Sequence, residues 1–131
     1  MTRSVASVAL VVVDHDEAID FYCGKLGFEL LEDTDLGQGK RWVLVAPAGG
    51  HGARLLLARA AGPAQLAAVG KQAGGRVGFF LETDDFERDF AAFSGRGVRF
   101  LEAPRRESYG TVAVFEDLYG NRWDLIEVRR T

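Results

Sequence analysis

"DHDEAIDFYCGKLGFELLEDT", Asp14 to Thr34, is the stretch on which the fold turns. Asp14 stands where a helix N-cap would, with Glu17 three residues later, the spacing of a reciprocal cap. Ala18, Ile19, Tyr22 and Leu26 fall on one helical face, and Gly27 supplies the stop. Upstream, Val5 to Val13 is an apolar, β-branched run that predicts a strand. Downstream, Phe28 to Asp33, Arg41 to Ala46 and Ala53 to Arg59 predict three more. The turns between them are Leu36-Gly37-Gln38-Gly39 and the glycine-rich Pro47 to Gly52. The order is βαβββ.

The order then recurs. Ala60 to Gly75 is rich in Ala and Gly and predicts a short helix near Pro63, a favoured first-turn residue. Val77 to Thr83 reads as a strand. Asp84 and Glu87 repeat the cap spacing, Phe86, Phe90 and Phe93 lie at helical spacing, and Gly95 or Gly97 ends the helix. Val98 to Glu102, Thr111 to Glu116 and Arg122 to Val128 are the remaining strands. A shift of about 70 residues lays Asp14 on Asp84, Gly27 on Gly97, Arg54 on Asp124 and Leu55 on Leu125, which predicts a duplicated unit. One such unit exposes an apolar sheet face, so two combine. The expectation is a single α+β domain over 1–131. Module 1 spans about 4–60, a linker about 61–75, and module 2 about 76–129. Together they form a curved, eight-stranded mixed sheet with helices on its outer face.

Composition narrows the function. Of 131 residues, 47% are hydrophobic and 27% charged, ordinary for a globular protein. The net charge of −3 carries no basic footprint for nucleic acid. Arg105-Arg106 and Arg129-Arg130 read as solvated surface pairs. The single Cys23 has no internal disulfide partner, and no apolar run approaches the roughly 20 residues of a membrane span. These features and the lack of a signal-like start predict a cytoplasmic protein.

Side chains alternate along a strand. In the fourth strand Leu55 and Leu57 are then core, with Arg54, Leu56 and Ala58 on the opposite, concave face. In the fifth, Phe79 and Leu81 are core, with Gly78, Phe80 and Glu82 concave. In the last, Trp123 and Leu125 are core, with Arg122, Asp124 and Ile126 concave. Ser7, Ala9 and Val11 take that face in the first. A carboxylate such as Asp124 needs a cation, a hydrogen-bond donor or water. The repeat sets it on Arg54, which is the partner the sequence leads one to expect.

The pattern A-x-x-F-Y-x-x-x-L-G-F at Ala18 to Phe28 and the closing "FEDLYGNRWDLIEV", Phe115 to Val128, resemble the vicinal oxygen chelate superfamily. That group holds glyoxalase I, extradiol dioxygenases, and fosfomycin- and bleomycin-resistance proteins. The resemblance implies a homodimer and a cleft for a small molecule. It also implies four metal-ligand positions, one on each of four strands. Carried across, they fall on Ser7, Arg54, Gly78 and Asp124. Only Asp124 is a good ligand for a divalent ion. At about 4 Å and an effective dielectric near 20, a guanidinium beside a dication costs roughly 8 kcal/mol.

Two functions stay open. One is a metal-free cleft for a small organic molecule, as in drug-sequestering members, lined by Ser7, Arg54, Leu56, Phe80, Glu82, Tyr109 and Asp124. The other is a lyase, isomerase or dioxygenase with an atypical Zn, Ni, Fe or Mn site built from Asp124 and Glu82, with His51 as a third candidate. Glu82 also reads as a rim carboxylate or a general base, and Tyr109 as a hydrogen-bond donor or a plain turn residue. His15 and His51 read as solvated, and Cys23 as an inert buried thiol. "GQGKRW" and "GGHGAR" open no helix after a strand, so neither is a phosphate loop. Whether the protein is an enzyme at all is left undecided at this stage.

Overall fold

The computed structural model describes residues 1–129. They form two units, 1–69 and 70–129, each with its own sheet. In the first, β1 (Ser7–Val12), β2 (Phe28–Gly37), β3 (Lys40–Pro47) and β4 (Arg54–Arg59) lie in the order β1-β4-β3-β2. β1 runs parallel to β4, and the other pairs are antiparallel. In the second, β5 (Val77–Glu82), β6 (Arg99–Phe100), β8 (Gly110–Glu116) and β9 (Arg122–Val128) repeat that path as β5-β9-β8-β6, with β5 parallel to β9. The same crossover in both halves bears out two βαβββ modules in an α+β fold. A ninth short strand, β7 (Arg105–Glu107), pairs with β8. The sequence had assigned Arg105-Arg106 to solvated surface. Arg105 is instead half-buried in this strand, while Arg106 is exposed. Arg129 is exposed, and Arg130 lies outside the described residues.

Helix α1 (His15–Ile19) starts where expected: the Asp14 carboxylate accepts from the Glu17 amide at 3.0 Å. It then widens into a π-helical stretch, Asp20–Lys25. Within it the rings of Phe21 and Tyr22 are both buried and meet edge to face, and Tyr22 also packs on Phe28. Gly27, at φ 72°, ends it in the left-handed region that glycine adopts freely. Helix α2 (Gly62–Ala68) carries its proline in the first turn. Helix α3 (Phe86–Gly95) packs Phe90 and Phe93 against Phe100 and Phe115. Its N-cap is Asp85, not the expected Asp84. The Thr83 hydroxyl accepts from the Asp85 amide, which makes Asp85 the last non-helical residue, and Asp84 pairs with Arg88 instead. None of the described helices is long and apolar enough to cross a membrane.

Candidate functional site

The strand alternation holds. Leu55, Leu57, Trp123 and Leu125 are buried; Arg54, Gly78, Phe80, Glu82 and Arg122 are exposed; Leu56, Ala58, Asp124 and Ile126 are half-buried. Each sheet therefore packs one face on its helices and leaves the other to the candidate residues.

In the first module Ser7 lies in register with Arg54, and Leu56 with Ala9 and Leu44. Ser7 and Arg54 are both exposed. His51 is exposed in the turn before β4. His15, expected to be solvated, is buried. Its imidazole is held at a pKa below the ordinary value by burial and by the nearby Arg41 charge, and its ring donates to the Leu57 carbonyl. Cys23 is a half-buried free thiol, and burial pushes its pKa up, away from the nucleophilic thiolate.

In the second module the position of β9 is set by its leading turn. Asp117, buried, accepts from the amides of Tyr119 and Asn121 and from the Asn121 side chain, each at 2.9 Å. The closing motif thus builds a turn, and the turn delivers Asp124 to the open face. There Asp124 lies in register with Phe80 on one side and Val114 on the other. Phe80 is 60% exposed, so its ring is an available wall. Glu82 sits one pleat further along the same face, in register with Ile126.

Asp124 Oδ1 is buried and accepts no hydrogen bond. Burial raises the Asp124 pKa; Arg105 opposes the rise and Glu102 adds to it. The Arg105–Glu102 pair is positioned by a gap in the sheet. β6 stops at Phe100, so the Val114 amide has no strand partner. The Glu102 Oε2 takes that place at 2.9 Å, while its Oε1 accepts from Arg105 Nε at 2.9 Å. Arg105 Nη1 donates to Glu107 at 2.8 Å. These carboxylates, with Tyr109, raise the Arg105 pKa above its ordinary value and hold it charged. Tyr109 itself is half-exposed, and its carbonyl accepts from the Arg129 amide at 2.7 Å. Sequence reasoning missed Glu102 and Arg105. Their i, i+3 spacing of opposite charge was the available signal.

Gly78, beside Phe80 in β5, carries no side chain of its own. A Cβ there would sit 2.6 Å from the Ala73 methyl, so that space is already filled. Of the four positions that carry metal ligands in relatives, Ser7 is weak, Arg54 is a cation, Gly78 has no side chain, and Asp124 has Arg105 for a neighbour. Among the described residues no group of three or more His, Cys, Asp or Glu could hold a metal ion. This donor set does not fit the metal centre.

The sequence profile of the Glyoxalase/Bleomycin resistance protein/Dioxygenase superfamily matches residues 4–125. An uncharacterized protein of Shewanella frigidimarina (strain NCIMB 400) is 56% identical over 129 residues, 98% of this chain and 96% of its own. Among solved structures, UcmS2 superposes with a TM-score of 0.83 at 29% identity, covering 96% of this chain and 98% of that one. TnmS3, an antibiotic binding protein from Streptomyces sp. CB03234, superposes with a TM-score of 0.76 at 31% identity, covering 98% of both chains.

Proposed function

Because the chain belongs to the glyoxalase/bleomycin resistance protein/dioxygenase superfamily, we propose that it binds a small organic molecule on its helix-free sheet faces without using a metal. The observation that carries this is the pairing of Phe80 and Asp124. An exposed ring stands in register with a carboxyl group whose buried oxygen lacks a donor. A buried acceptor without a donor is costly, and a ligand N–H or O–H would relieve it. An apolar wall beside a few polar groups is the usual make-up of a small-molecule site. The similarity to TnmS3, an antibiotic binding protein, supports sequestration over turnover. Sequestration needs only affinity, and a micromolar complex corresponds to about −8 kcal/mol.

The ligand is compact and partly aromatic, and it offers a hydrogen-bond donor to Asp124. The protein works as a homodimer, because β1, β2, β5 and β6 end their sheets with edges that a second copy can cover. It resides in the cytoplasm, where the lone Cys23 stays reduced. The test is a thermal-shift screen of the wild type and Phe80→Ala against aromatic metabolites and antibiotics. Hits that weaken in Phe80→Ala support the proposal. No hit, together with turnover of a thiohemiacetal or catechol once Zn, Ni, Fe or Mn is added, would establish the metal-dependent lyase or dioxygenase instead.

A further inference from the structure

The first module holds a cavity of about 410 Å³ at the C-terminal end of β4, where β3 begins. That volume lies within the roughly 300–1,000 Å³ of small-molecule pockets. Its charged wall has one sign: Lys40, Arg41 and Arg59 contribute to it, and no Asp or Glu does. In a chain of net charge −3 this is a local reversal.

The three cations are not equivalent. Arg41 is occupied: it bonds Asp16 at 3.0 Å and Asp33 at 3.1 and 2.8 Å. It is a fixed part of the wall. The side chains of Lys40 and Arg59, both exposed residues, make no hydrogen bond or ion pair among the described residues. His15 also lines the cavity, but its ring is committed to the Leu57 carbonyl. Trp42 and Leu56 supply apolar surface, and the indole is 39% exposed.

We propose that this cavity binds a planar organic anion, with Trp42 as the stacking wall and Lys40 and Arg59 as the groups that take the anionic end. An inorganic ion would leave the indole surface unused. A neutral ring would leave two unpaired cations facing its edge. A flat apolar body ending in a carboxylate, sulfonate or phosphate satisfies both. Arg59 suits bidentate pairing with such a group, and Lys40 adds a mobile charge. The proposal goes beyond the function above: it uses only first-module residues, and it holds whether or not Phe80 and Asp124 bind anything.

The experiment is calorimetry on the full chain with 2-naphthoate, 2-naphthyl phosphate and the neutral amide N,N-dimethyl-2-naphthamide, which has no N–H to offer Asp124. The expected result is that at least one anion binds at least ten-fold more tightly than the amide. The Lys40→Gln/Arg59→Gln double variant should lose at least ten-fold in affinity for that anion and leave the amide unchanged. Trp42→Ala should weaken anion and amide alike. Both replaced cations are exposed and unpaired, so the double variant keeps the fold. Equal affinity for anion and amide, no binding of either anion, or an unchanged double variant would overturn the proposal. Anion affinity lost in Phe80→Ala but kept in the double variant would overturn it too, while leaving the proposed function of the second module standing.

Discussion

Replacing Asp124 by Asn should stabilise the protein at neutral pH. The side chain keeps its shape and loses its charge. In the wild type the carboxylate has one buried oxygen without a donor, and the attraction of Arg105 is opposed by the repulsion of Glu102. Burying a charged carboxylate oxygen without a donor costs more than burying a neutral amide of the same shape, and half-burial keeps the difference small, about 1 kcal/mol. For 131 residues the unfolding entropy is about 0.28 kcal/mol/K, so that gain raises Tm by about 4 °C. The pH dependence fixes the sign. Burial raises the folded pKa, so the folded protein still holds this proton where the unfolded chain has released it. Stability therefore falls as pH rises from about 4, the unfolded value, through the raised folded value, and stays lowered above it. Asn does not ionise. The variant's advantage should be complete at pH 7 and vanish below about pH 4. Thermal unfolding of both proteins at the two pH values measures this. A variant less stable at pH 7 by about 3–5 kcal/mol would refute the reasoning. It would mean that a cation holds the carboxylate, as the sequence led one to expect of Arg54.

Three further outcomes follow from the same structure. Asp14→Ala removes the acceptor for the Glu17 amide and should cost about 1 kcal/mol in urea unfolding. Gly70→Ala should destabilise by at least about 2 kcal/mol, because Gly70 has a φ of 75° and a Cβ would overlap the Tyr119 carbonyl; an unchanged midpoint would deny that close approach. His15 has a lowered folded pKa, so the unfolded chain takes up its proton first and stability should decline as pH falls below about 6.5. His15→Gln should flatten that decline below about pH 6.5 when unfolding is followed by circular dichroism.

What the sequence made legible was governed by local periodicity. The alternation in β4, β5 and β9 placed Leu55, Phe79 and Trp123 inward and Arg54, Phe80 and Asp124 on the other face, because a buried strand face tolerates no charge. The caps were legible to within one residue. At the second helix, Thr83-Asp84-Asp85 offers three cap-forming side chains in a row, and only the Thr83 hydroxyl bond to the Asp85 amide decides among them. The π-helical stretch was not legible, since the apolar spacing of Ala18, Ile19, Tyr22 and Leu26 reads as an ordinary α-helix. Neither was the environment of Asp124. Glu102 reaches Arg105 because it also fills the hydrogen-bonding gap left where β6 ends, and strand length sets that gap. The filled space at Gly78 depends on Ala73, in a segment with no periodicity to read.

The two modules share one strand order and differ in the charge they expose. The buried alternation in β4 and β9 is constrained: Leu55, Leu57, Trp123 and Leu125 each face a packed core, where a charge would need a buried partner. The other parity is under no such constraint, and there a duplicated unit can diverge without unfolding. Arg54 and Asp124, about 70 residues apart in the repeat, show how far that divergence has gone, since equivalent positions now carry opposite charge. A chelating metal centre requires like donors at such positions, and a guanidinium at one of them repels the ion that the carboxylate at another would attract. In the first module Lys40 and Arg59 stand beside Trp42, while in the second Asp124 lies in register with Phe80 and Glu82 lies one pleat further along. In each case an exposed ring stands beside charged side chains. That combination suits flat organic ligands with a polar end, anionic for the first module and hydrogen-bond-donating for the second, and it gives a bare metal ion no matching set of donors.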